Sequence, residues 1–129
     1  MFNYDTSVNF SDLKGKTINK IVNNQDSIDF YTDEYHYRMF HSQDCCESVV
    51  IESIVGYLDD LIGTPILMAE LVESSEYQDF QEKSEYDESF TWSFYKLATI
   101  KGYVDIRWYG ESNGYYSESV DFRRISIKN

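Results

Sequence analysis

The feature that most constrains this chain is an alternation over residues 102–109. Val104, Ile106 and Trp108 fall on one side of it, and Tyr103, Asp105, Arg107 and Tyr109 on the other. A repeat of two is the period of a β-strand, so this stretch builds one apolar face and one mixed aromatic and charged face. Similar runs flank it at 90–100 and 115–127, joined by Lys101-Gly102 and by residues 110–114, whose Asn113-Gly114 is a hairpin signal. Three antiparallel strands are predicted there. Three more are predicted at 17–22, 27–32 and 35–41, where Ile28 and Phe30 share a face and Tyr35, Tyr37, Met39 and His41 oppose His36, Arg38 and Phe40. Asn23, Asn24 and Asp26 supply the first turn between them and Asp33 with Glu34 the second, since Asn and Asp tolerate turn conformations that strands do not use.

Residues 44–63 are predicted as the one helix, because Ile51, Ile54, Val55, Leu58, Leu61 and Ile62 recur at helical spacings. Asp44 followed by Glu47 fits a capping box, and Gly63 with Pro65 ends the segment. The β-branched Val49, Val50 and Ile51 keep a second reading open, a strand over 48–52 leading into a shorter helix. A further strand is predicted over 65–72. The expected fold class is α+β: an antiparallel sheet of about six or seven strands with one covering helix. A chain of 129 residues with 42% hydrophobic side chains fits one domain over residues 1–129, with a core that needs neither disulfide nor metal. Ile51, Ile54, Leu58, Leu61, Val104, Ile106 and Trp108 are the expected centre of that core.

Charge narrows the partners. With 23 Asp and Glu against 11 Lys and Arg, the net charge is −12, which argues against direct nucleic-acid binding, because phosphate contacts draw their affinity from Lys and Arg. Much of the excess lies in segment 70–88, expected as an exposed loop or strand rim, and Glu73, Glu76, Glu82 and Glu85 are its candidate surface for a basic partner. No apolar run approaches the ~18 residues of a membrane helix, and residues 1–12 have neither the basic nor the apolar part of a leader. A cytosolic protein without membrane contact is expected. Cys45 and Cys46 are adjacent, so they cannot staple distant parts of the fold, and their spacing fails the usual zinc patterns. Reduced thiols, no metal and no cofactor follow.

Two polar clusters are candidates for chemistry. The first runs from His41 through Ser42, Gln43, Asp44, Cys45, Cys46 and Glu47 to Ser48. As a site it offers a base, thiols, carboxylates and an amide; as structure, Asp44 and Glu47 cap a helix and the cysteines pack as small apolar groups. The second runs from Trp108 and Tyr109 through Asn113 to Tyr115, Tyr116 and Glu118. Its rings can stack on a base while Arg38, Arg107, Arg123 or Arg124 neutralises a phosphate, or they can serve as cross-strand pairs that stabilise a hairpin. The expected ligand-binding set is His41, Gln43, Asp44, Arg107, Trp108, Tyr109, Asn113, Tyr115 and Tyr116, lining a pocket that a second protomer of a homo-oligomer can complete. No glycine-rich phosphate loop, nucleophile elbow or zinc-helix motif is present, and no catalytic residue is expected.

The string from Tyr37 to Val49, containing His41-Ser42-Gln43-Asp44-Cys45-Cys46-Glu47, resembles an uncharacterised family of small proteins encoded mainly by bacteriophages and prophages. Ile51-Glu52, Gly56, Leu58 to Gly63 and Pro65 continue the resemblance, as do Thr91 to Lys96, Lys101 to Tyr103 and Ile106 to Val120. It implies a phage origin and a place in the infected bacterial cytoplasm, and it brings no activity with it. The expected function is therefore non-enzymatic counter-defence: sequestration of a nucleotide-derived bacterial immune signal. The alternative is an acidic nucleic-acid mimic that inhibits a host defence nuclease such as a CRISPR effector. An enzyme acting through His41 and Cys45 or Cys46 stands third.

Overall fold

The computed structural model describes residues 5–74, 89–114 and 116–126. Their strands are β1 (Asp5–Ser7), β2 (Lys20–Asn23), β3 (Ser27–Tyr31), β4 (Tyr35–Phe40), β5 (Ser48–Val55), β6 (Met68–Ser74), β7 (Ser89–Thr99), β8 (Gly102–Ser112) and β9 (Asp121–Ser126). They form a five-stranded sheet in the order β1-β9-β4-β3-β2 and a four-stranded sheet in the order β5-β8-β7-β6. Every paired strand is antiparallel. Phe10–Leu13 and Leu58–Leu61 are single 3-10 turns.

The α+β expectation is corrected: among the described residues the fold is nearly all β, and no helix covers a sheet. Residues 44–63 hold β5 and the second 3-10 turn instead. β5 pairs with β8 from Ser48↔Glu111 to Val55↔Asp105, and its register shifts between Ile51 and Ser53. That irregularity explains the misreading. Val49 and Ile51 are half-buried two residues apart, then the bulge adds a residue, so the next inward side chain of the series, Ile54, comes after three. A strand with a bulge thus imitates helical spacing. Gly56 (φ 96°) then turns the chain at a place where a Cβ would stand 2.3 Å from the Tyr103 carbonyl oxygen, so only glycine fits.

The two sheets share one core. Ile28, Phe30, Tyr37, Met39 and Phe122 line the five-stranded sheet, and Ala69, Tyr95, Leu97, Val104, Ile106 and Trp108 line the other. Phe10 packs edge-on between them, with its ring centroid 4.7 Å from Tyr95 and 5.2 Å from Phe122. The Trp108 indole N–H points at the Met39 sulfur 3.1 Å away, a contact from sheet to sheet. Leu61, Val104, Ile106 and Trp108 are buried as expected, whereas Ile51, Ile54 and Leu58 are half-buried at its margin. Tyr37 donates its hydroxyl to Asp12 at 2.6 Å, and burial together with that carboxylate pushes the phenol above its ordinary pKa.

Candidate binding surface

The first cluster folds into a loop organised by one buried carboxylate. Glu47 accepts the backbone N–H of Asp44 at 2.8 Å through one oxygen and that of Cys45 at 2.9 Å through the other. The bond to residue 44 is the one a capping box makes, but Val49, Val50 and Ile51 carry the chain into β5 instead of a helix. These backbone donors, led by Cys45 and joined by His41, hold the Glu47 carboxyl down at about 2. His41 lies 2.8 Å from Glu47 through Nε2 and 2.7 Å from the Ser119 carbonyl through Nδ1. Both partners are oxygen acceptors, so the ring bridges the Glu47 carboxylate and the Ser119 carbonyl. Gln43 donates to the Glu47 carbonyl at 2.7 Å. Cys45 and Cys46, expected as free thiols, are bonded to each other, so neither is a free nucleophile.

A second buried carboxylate organises the other cluster. Glu118 accepts the hydroxyls of Thr91 at 2.8 Å and Ser112 at 2.5 Å. A Cβ on Gly110 would lie 2.8 Å from the Glu118 carbonyl oxygen, so glycine lets the segment lie directly on β8. The two clusters meet through His41 and the Ser119 carbonyl, and through Ser42, whose N–H donates to Asp121 at 3.1 Å.

The expected ligand set separates in this arrangement. The His41 side chain is 5% exposed and engaged on both sides, and Gln43 is spent on the loop backbone. Asp44 is exposed at the turn. Trp108 is 1% exposed, so the aromatic platform expected of it is core instead. Asn113 is exposed in the β8–β9 connection and Tyr116 is half-buried there. Tyr115, Glu76, Glu82 and Glu85 lie outside the described residues, as does most of segment 70–88. Glu73 is exposed on β6.

Arg107 and Tyr109 belong to a surface that the two clusters did not reveal. Ser93, Tyr95 and Leu97 of β7 are buried, so Trp92, Phe94 and Lys96 point the other way, to the outer face of the four-stranded sheet. Cross-strand pairing sets Trp92 beside Tyr109, Phe94 beside Arg107 and Lys96 beside Asp105. The Trp92 centroid is 4.9 Å from Tyr109 and 5.9 Å from Phe94, Phe90 stacks 6.3 Å from Tyr109, and the Arg107 guanidinium stands 5.7 Å over Phe94. Val50 and Val72, exposed by 46% and 44%, extend the apolar area onto the neighbouring strands. Arg107 also donates to Asp105 at 3.1 Å. The sequence did carry a signal: Phe90, Trp92 and Phe94 alternate with Thr91, Ser93 and Tyr95, a large aromatic at every second position.

Among the described residues, no group of three His, Cys, Asp or Glu side chains is placed to hold a metal ion, and no helix is long and apolar enough to cross a membrane. No curated protein and no solved structure matches the chain. A family model does, over residues 11–122, the segment that holds both polar clusters and the aromatic face. The chain therefore belongs to the domain family of unknown function DUF7448.

Proposed function

We propose that the protein is a non-enzymatic binding protein that occupies a basic surface of a partner protein through the outer face of the β5-β8-β7-β6 sheet. One observation carries the reading: Phe90, Trp92, Phe94 and Tyr109 cluster on the outside of a sheet whose inner face already supplies a core. Protein interfaces concentrate Trp, Tyr and Arg at a dry centre and charge at the rim, and Arg107 over Phe94 belongs to such a centre. The rim is acidic. Glu70 on β6 and Glu111 on β8 lie on the same side as the aromatic rings. With a net charge of −12, a positive partner surface is favoured both in encounter and in register. The resemblance to phage and prophage proteins supports a host defence protein with a nucleic-acid groove as that partner, met in the bacterial cytoplasm.

Sequestration of a nucleotide-derived ligand is the second reading. It draws support from Arg107 and Tyr109, two residues apart on one side of β8, and from the contact that joins the polar clusters at His41 and Ser119.

Affinity capture from producing bacteria, beside calorimetric titration with cyclic nucleotides and ADP-ribose derivatives, separates the two. The first reading expects a basic protein that is retained by the wild type, lost from Trp92→Ala and from Arg107→Ala, and released by about 0.5 M salt. It also expects no heat from the nucleotides. Saturable nucleotide binding that Arg107→Ala removes would overturn it in favour of sequestration.

A further inference from the structure

Cys45 and Cys46 take no part in the interface proposed for the outer sheet face, yet they are the chain's only cysteines and they are bonded to each other. Both are exposed on the loop between β4 and β5. A disulfide stabilises a fold chiefly by closing a long loop of the unfolded chain, and a bond between neighbours closes none. Exposed disulfides without such a structural role are the ones that thiols open most readily. This bond also sits where its opening is felt. The fully buried Glu47 side chain reaches back across residues 45 and 46, accepting the Cys45 N–H at 2.9 Å through Oε1 and the Asp44 N–H at 2.8 Å through Oε2. Gln43 Nε2 donates to the Cys45 carbonyl at 3.3 Å. From Glu47 the contacts continue to His41 at 2.8 Å and from His41 to the Ser119 carbonyl at 2.7 Å.

We propose that Cys45–Cys46 is a reversible thiol–disulfide switch, opened by dithiol reductants and closed by mild thiol oxidants, that sets the conformation of the Glu47 loop and, through His41, its hold on the Ser119 segment. It stands apart from the partner reading above. In opening, a thiolate of the reductant attacks one cysteine sulfur and breaks the S–S bond, and the second thiol of the reductant then displaces that cysteine. Two electrons and two protons pass to the protein, leaving two cysteine thiols and the reductant as a cyclic disulfide. The closed bond fixes the backbone torsions between Cys45 and Cys46, which are the link between the two N–H donors and the residue whose carboxylate accepts them. Once open, that link regains its backbone freedom, and the entropy gained works against both hydrogen bonds. A buried carboxylate that loses a donor has no water to replace it, so the loop rearranges around Glu47.

Mass spectrometry after iodoacetamide reads the chemistry on the folded full chain, and NMR reads the loop. After diamide, which takes up the two electrons and two protons as its hydrazine, no alkylation is expected and the bond lies within one chain. After dithiothreitol, one alkyl group is expected on each cysteine, and a second diamide treatment of unalkylated protein restores the bond. The two states should differ at the amides of residues 43–48, at the His41 ring and at Ser119, and agree at the His36 ring near the far end of β4. A Cys45→Ser, Cys46→Ser variant should give the open spectrum with or without diamide. Cysteines that diamide leaves unjoined or joins only between chains, or a bond that dithiothreitol does not open in the folded protein, would overturn the proposal. Identical loop spectra in the two states, or a double variant that still responds to diamide at Glu47 and His41, would overturn it as well.

Discussion

The outer faces of the two sheets solve the same problem differently. On the five-stranded sheet, Asp29 of β3 is 3% exposed and accepts from His36 at 2.7 Å, Arg38 at 2.8 Å and Asn24 at 2.9 Å. Burial alone would raise its carboxyl, but these donors, Arg38 foremost, hold it below the ordinary range. Tyr31 stacks on His36 at 4.4 Å with the Lys20 ammonium 5.4 Å over its ring. Rings and charges there satisfy one another within the face. On the four-stranded sheet, the half-buried Phe90, Trp92, Phe94 and Tyr109 pack on one another, with Arg107 shared between Phe94 and Asp105. A half-buried aromatic cluster on the outside of a sheet has the composition of the dry centre of a protein interface, the role proposed for it. One face is organised around a buried carboxylate and its donors, the other by contacts between aromatic rings.

The sharpest way to break this contrast uses the two tryptophans. Trp108→Ala should cost about 3–5 kcal/mol by emptying the core against Met39. Trp92→Ala should cost less than about 1 kcal/mol, read from the same denaturant titrations. Equal losses would make the outer cluster a second core. Next in size, Asp29→Ala should cost about 2–3 kcal/mol, since it leaves three donors without their acceptor.

A pH series sharpens the comparison further. Glu47 and Asp29 are both held below their unfolded values, so the stability they confer is complete above the ordinary carboxylate range and lost as pH falls through the folded values. For Glu47 that window runs from 4.5 down to about 2. Glu47→Gln should be less stable at neutral pH and should show a flatter loss across that window, whereas Trp92→Ala should follow the wild-type slope. An unchanged slope in Glu47→Gln would put the acid sensitivity elsewhere.

Strands were legible wherever one face is buried and the period stays at two. Residues 27–32, 35–41, 90–100 and 102–109 each contain most of the strand observed there. The helix over 44–63 is wrong because the β5 bulge at Glu52 turns a spacing of two into three and so imitates a helical repeat; the β-branched Val49, Val50 and Ile51, which keep open a strand over 48–52, are the local signal that points to β5. β1, three residues long, paired with β9 and dependent on a partner far along the chain, left no local pattern. The polar clusters were recognisable as unusual, but their residue types fit a site and a folded loop equally well. Only the partners decide: Glu47 and Glu118 face backbone N–H groups and hydroxyls inside the protein. The alternation over 102–109 shows the Arg107 and Tyr109 half of the aromatic face; the Trp92 and Phe94 half needs the register of β7 on β8, which only the structure supplies.

Placing a photo-crosslinking benzoylphenylalanine at Trp92 in one variant and at Tyr31 in another compares the two outer faces inside producing bacteria. The account predicts adducts to a basic host protein from position 92, weakened by Arg107→Ala, and none from position 31. Adducts of equal yield from both positions, or from position 31 alone, would contradict it.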